Sequence, residues 1–148
     1  MTVTVTRRTA LTGGMVAMAA ALASCGLPRD PERTADTVRA NGVLRLGMVA
    51  GDERDEAAER QLAAAAREHG AVVRRRTASA HELLRDLEDG GLDLVYGRFP
   101  ADSPWATRIH LGRVPRQLAE PPEDVAAPRF AFRNGENGWI MAVEQQHR

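Results

Sequence analysis

The chain has 148 residues, and its 20 basic and 20 acidic side chains leave a formal net charge of +0. Every basic side chain is arginine and no stretch is strongly cationic, so nothing in the charge argues for nucleic acid as a partner. The length suits one domain with one modest core, and there is neither an internal repeat nor a heptad array.

Arg7 and Arg8 precede an uncharged, small-residue run from Ala10 to Ala23. Basic region, apolar region and small residues, in that order, predict a secretory signal. The run is shorter than the ~20 apolar residues a spanning helix needs, so cleavage is favoured over a spanning anchor. It ends Leu22-Ala23-Ser24-Cys25, which resembles the lipobox of bacterial lipoproteins. That resemblance implies cleavage before Cys25, acylation of its thiol and membrane lipid as a partner. Cys25 is the only cysteine, so it has no disulfide partner within the chain. The stretch Thr6-Arg7-Arg8-Thr9-Ala10-Leu11 resembles a twin-arginine export signal without its usual aromatic residue, and the general secretory route stays open. The expected location is the cell envelope, lipid-anchored to a membrane and facing the periplasm or the exterior. The expected organisation is a signal peptide over 1–24, a lipidated tether over 25–41 and an α/β lobe over 42–148. Loss of Arg7 and Arg8 leaves 18 arginines against 20 acids, a net charge of −2.

Within the tether, Thr34 to Ala40 has the makings of a short helix, and the folded part is expected to begin at Gly42. Val43 to Ala50 is mostly apolar, as a strand covered on both faces should be. Gly51-Asp52 turns the chain, with Asp52 placed to cap the next helix. That helix is expected from Arg54 to His69, with Ala58, Leu62, Ala65 and Ala66 inward at helical spacing and Gly70 ending it. Ala71 to Thr77 is a second strand, carrying Arg74, Arg75 and Arg76. Alternation sets Arg75 on the opposite face from its neighbours, so a shared basic patch is not expected. Ser79 with Glu82 forms a capping box for a helix whose buried stripe is Leu83, Leu84 and Leu87. Gly90-Gly91 stops it, and Leu92 to Gly97 is a third strand.

This alternation predicts an α/β fold: one three-layer lobe with a mostly parallel sheet in the order 2-1-3 and right-handed crossovers. Leu46, Val49, Leu62, Val73, Leu83, Leu87, Leu94 and Val95 are expected in its core. Residues 115–128 hold four prolines among charges and predict no regular element. Arg129 to Arg133 reads as a return strand, Asn134 to Gly138 as a turn, and Trp139, Ile140 and Val143 as a C-terminal helix capped by Asn137. A hairpin across the turn is the competing pattern, because Trp139, Met141 and Val143 also alternate.

With these elements placed, the chain resembles the extracellular solute-binding proteins of ABC importers, of the amino-acid-binding type. The carrying residues are Gly42-Val43-Leu44-Arg45-Leu46-Gly47, Glu82-Leu83-Leu84, Gly91-Leu92-Asp93-Leu94-Val95-Tyr96-Gly97, and Arg133 to Asn137 followed by Trp139. The resemblance implies lobe one of a type-II periplasmic binding protein, an amino-acid-like solute, and an ABC permease or a second chain as partner. It also carries departures. The proline-rich segment 115–128 stands where a second lobe would be. Gly51-Asp52-Glu53-Arg54 replaces the proline and aromatic that follow the first strand in the family. Trp105 occupies the place of the arginine that clamps the solute carboxylate, with Arg108 displaced.

Ligands of parallel sheets sit beyond the strands' carboxyl ends, which makes Trp105, Arg98, Arg108, Asp52 and Ser79 the candidate ligand-binding residues. Trp105 is suited to stacking on a ligand or to covering the sheet. Arg98 and Arg108 carry guanidinium forks that suit a carboxylate, and Ser79 is explained equally by capping. His69, His81, His110 and His147 lack metal-ligand spacing. No nucleophile constellation or phosphate loop is present, and no cofactor is expected. The reading is therefore a non-enzymatic, membrane-anchored lipoprotein that binds a small solute or a partner weakly. The alternative is an accessory to an envelope enzyme, related to the binding-protein-like domain of lytic transglycosylases.

Overall fold

The computed structural model describes residues 30–52, 55–115 and 118–145. The signal region, Cys25 and the start of the tether lie outside the described residues. The elements are α1 (Thr34–Asn41), β1 (Val43–Val49), α2 (Glu56–Glu68), β2 (Val72–Ala78), α3 (Ala80–Glu88), β3 (Leu94–Phe99), β4 (Ile109–Leu111), β5 (Ala127–Arg133) and α4 (Asn137–Glu144), with a short 3-10 turn at Pro104–Thr107. They form one five-stranded sheet in the order β2-β1-β3-β5-β4. β1 pairs in parallel with β2 and with β3, while β5 runs antiparallel to both β3 and β4. The expected 2-1-3 order and return strand are present, and β4 is an edge strand the sequence pattern did not reveal. At three residues it is too short to show a period.

The sheet carries a core on each face. One joins Leu44, Leu46, Leu94 and Phe132 to α2 and α4 through Leu62, Ala65, Trp139 and Val143, and Val38 of α1 belongs to it. The other joins Val95, Ile109 and Ala131 to Leu83, Leu84 and Leu87 of α3. Six of the eight expected core residues are buried, but Val49 and Val73 are only partly covered. β2 is the sheet's outer strand and Val72 on it is 65% exposed. Leu87 is fully buried, and Leu87→Ala is expected to cost about 2–5 kcal/mol, read from the urea midpoint. Gly47 explains why α3 lies so close to β1. A Cβ there would come within 2.8 Å of Leu92 Cδ1 and 3.0 Å of Leu83 Cδ2.

Several local expectations need correction. Helix α2 starts at Glu56 and is capped by Asp55, whose carboxylate accepts the Ala57 N–H at 2.8 Å. Asp52 instead accepts the Arg98 N–H at 2.8 Å. β5 begins at Ala127, two residues before the expected strand, because Pro128 and Ala127 continue the pairing opposite Arg98 and Phe99. The C-terminal segment is helical rather than a hairpin, following the 3.6 spacing of its apolar residues, but Asn137 does not cap it. Asp30 does so from across the chain, accepting from Gly138 N at 2.7 Å and Trp139 N at 2.9 Å. In return the fully buried Glu136 accepts from Glu32 N and Thr34 N, both at 2.7 Å, where α1 begins. Each helix start is thus satisfied by a carboxylate of the other segment. Residues 30–41 accordingly pack on the lobe, whereas the expected boundary of the folded part was Gly42.

Among the described residues, no helix is long and apolar enough to cross a membrane.

Candidate functional site

The carboxyl ends of β1, β2 and β3 bring residues 50–52, Ser79 and 100–103 to one end of the sheet, where Ala50 N donates to Ala78 O at 2.9 Å. Gly97 keeps that end narrow. A Cβ on it would meet Val49 Cγ2 at 2.5 Å and Asp52 Oδ2 at 3.0 Å. Asp52 and Arg98 are brought together through the backbone N–H, and the Arg98 guanidinium donates to Ala126 O at 3.2 Å. Ser79 accepts the Glu82 N–H at 3.3 Å, as the capping box predicted.

Trp105 and Arg108 form a second group. Trp105 is half-buried, packs on the α3-side core and meets His81 edge-on at 5.4 Å. The Arg108 guanidinium lies 5.0 Å from the Trp105 ring centroid. Arg108 is also gripped by Glu88 through Nε at 2.9 Å and Nη2 at 2.5 Å. Its fork is therefore filled from within the chain. Arg75 and Arg76 of β2 are likewise engaged, on opposite faces as alternation required. Arg75 pairs with Glu59 of α2 at 2.8 Å, and Arg76 pairs with Glu82 and Asp86 of α3.

Beneath α2, Tyr96 is buried and its hydroxyl donates to Asp55 Oδ2 at 3.4 Å. Burial, with the Asp55 carboxylate beside it, pushes the phenol well above its ordinary range. The adjoining crevice against Met48 and Phe130 holds only about 10 Å³, room for no more than a water. Asp93, from the motif Gly91 to Gly97, is a structural clamp. It accepts from Arg45 N at 2.8 Å, Nε at 3.1 Å and Nη2 at 2.5 Å, while its carbonyl accepts Trp139 Nε1 at 2.9 Å. The Asp93 hydrogen bond raises the Arg45 pKa above its usual value.

A larger concavity lies between the β4 edge and α4. It is a groove of about 550 Å³ whose walls include Leu111, Arg113, Arg129, Ile140, Met141 and Glu144. Sequence reasoning missed it, since its walls come from three elements and a loop. The one local hint was an arginine inside an otherwise apolar return strand. Among the described residues, no group of three or more His, Cys, Asp or Glu is placed to hold a metal ion.

No protein-family model and no curated protein matches the sequence. Solved structures do match the fold. The arginine-bound form of domain 1 from TmArgBP aligns with a TM-score of 0.62 at 13% identity, over 76% of this chain and 97% of that one. A point mutant of the same arginine-bound domain aligns at 0.62 and 14%, over 77% and 95%. An ancestral cationic amino acid solute-binding protein, AncCDT-1, aligns at 0.59 and 12%, over 77% and 92%. The chain therefore has the fold of a single lobe of an amino-acid solute-binding protein.

Proposed function

We propose that this protein is a membrane-tethered, non-enzymatic lobe that binds a small amino-acid-like solute weakly at the carboxyl ends of β1–β3. The observation that carries the reading is the fold itself. A lobe like those of amino-acid-binding proteins returns through residues 112–126 straight into β5. Domain 1 of TmArgBP is arginine-bound as a single domain, so arginine is the first solute to test here. Asp52 at the strand ends supplies the acidic group a cationic solute needs. Arg98 and Arg108 are already engaged by Ala126 and Glu88, which leaves the solute carboxylate without a dedicated clamp.

An open face leaves one side of the ligand in water, whereas small-molecule sites usually bury ~70–90% of it. Ionic contacts there are weakened by solvent and salt. The expected affinity for arginine is therefore millimolar, about −4 kcal/mol, and tighter binding calls for a second chain over the face near Gly51, Ser79 and Trp105. Calorimetry of a verified monomer with arginine tests this. A micromolar isotherm would refute the half-site argument, and no saturable heat up to tens of millimolar would refute solute binding at this face.

Anchoring through Cys25 and delivery to an ABC permease complete the proposal. Cys25→Ser should abolish lipid labelling. Persistent lipidation of that variant would sink the anchor.

A further inference from the structure

Cys25 and Asp30 are five residues apart. Asp30 is fixed to the lobe, its carboxylate accepting from Gly138 N at 2.7 Å and Trp139 N at 2.9 Å. The residues after it are held as well. Glu32 N and Thr34 N donate to the fully buried Glu136, and Val38 is 1% exposed in the core. A chain anchored at Cys25 therefore has a leash that ends at Asp30 rather than at the start of β1. Fully extended, five residues reach about 17 Å.

Where the leash meets the lobe decides which surface can touch a membrane. β1 and β2 start side by side, and Val72 N donates to Gly42 O at 2.9 Å. β5 is antiparallel to β3, so Arg133 at its end and the turn into α4 lie at the amino ends of β1–β3. Arg133 stands 3.8 Å from Glu32 there. Asp30 is thus at the base of the sheet, opposite the strand ends that carry residues 50–52, Ser79 and 100–103. β1 has seven residues and spans about 20 Å, and the loops beyond it add to that height. A leash of about 17 Å is too short to run up the side of the lobe and let the strand ends lie on a bilayer. Charge does not set this orientation. Arg33 and Arg39 both pair with Asp36, so these exposed arginines are matched within the chain and call for no anionic lipid.

We infer that the lobe stands base-down on a lipid surface, with residues 30–36 and the turn at 134–138 within reach of the headgroups and the strand ends turned to the aqueous side. The inference rests on the Cys25 anchor proposed above. A second chain that covers the strand ends then comes from the aqueous side. A permease in the same bilayer meets them only after the Asp30 and Glu136 contacts open, when the leash runs to Gly42 and reaches about 60 Å.

The test uses the full lipidated chain, purified from membranes and placed in phosphatidylcholine vesicles that carry a short-range fluorescence acceptor on their headgroups. Cys25 is the only cysteine, so with its thiol acylated an added cysteine takes a donor dye alone. Asp89→Cys places the dye at the base beside Gly90, and Asp102→Cys places it at the strand ends; both positions are exposed. Transfer to the lipid should be at least about twofold stronger from position 89 than from position 102. Ten Gly and Ser residues inserted after Gly26 should bring the two signals together, and Glu136→Gln should narrow the gap. Equal transfer in the unaltered protein, or stronger transfer from position 102, would overturn the inference. So would an unchanged gap in the insertion variant, which would mean that adhesion and not leash length sets the orientation. The insertion leaves the lobe untouched, so it decides even where Glu136→Gln does not fold. A chain that fails to float with the vesicles would overturn the anchor itself, whereas equal transfer from a floating chain overturns the orientation alone.

Discussion

In the parallel half of the sheet, the Asp93 side chain is 2% exposed and takes three hydrogen bonds from Arg45. In the return half, Arg129 is 5% exposed and two of its donors take part in none among the described residues. What separates the two halves is whether buried polar groups find partners inside the chain. Buried side chains of the parallel half find acceptors within the chain: Gln61 donates to Val143 O of α4 at 2.9 Å and His69 Nδ1 lies 2.9 Å from Ala65 O. The return half leaves the Arg129 Nε and Nη2 without acceptors among the described residues. A scaffold is expected to satisfy its interior, so an orphaned buried donor is a local cost to the fold.

The largest test of that contrast is Asp93→Ala. It strands the Arg45 backbone N–H and removes the guanidinium's acceptor, and should cost about 2–3 kcal/mol from the urea midpoint, since Arg45 itself keeps partial solvent contact. Arg129→Met should act with the opposite sign. Deleting a buried charge that has no partner among the described residues should raise stability, by about 1–2 kcal/mol, read from the urea midpoint. A destabilised Arg129→Met protein would erase the distinction between the halves.

Asp30→Ala tests how far the N-terminal segment belongs to the return half. Losing the cap on Gly138 and Trp139 should cost about 1 kcal/mol, and hydrogen exchange at those two amides should quicken. Unchanged exchange would detach residues 30–41 from the lobe.

The smallest effect is confined to alkaline pH and lies on the seam between the halves, where Tyr96 pairs with Met48 on one side and Phe130 on the other. Its phenol is raised in the folded protein by burial and by Asp55, while an unfolded phenol ionises near pH ~10. The unfolded chain therefore loses this proton first. The stabilisation is complete below pH ~10 and is lost as pH rises from there toward the folded value. Urea midpoints compared at about pH 9 and about pH 11 should fall in the unaltered protein and fall less in Tyr96→Phe.

Sequence by itself determined the elements whose residues repeat over many positions: the three parallel strands, the two crossover helices, the Ser79 capping box and the stop at Gly90 (φ +81). Period and punctuation are local properties, and the 2-1-3 order follows from handed crossovers acting on them. Tertiary structure alone decided the rest. Asp30 and Glu136 exchange caps across 108 and 102 positions of chain, a pairing no spacing rule contains. Trp105 and Arg108 had been placed at the strand ends from their order in the chain, but the 3-10 turn lays Trp105 on the α3-side core and Glu88 fills the arginine's fork. The groove likewise depends on β4, β5 and α4 meeting. Whether a buried donor finds an acceptor is a property of the assembled interior, so it becomes visible only once the chain has folded.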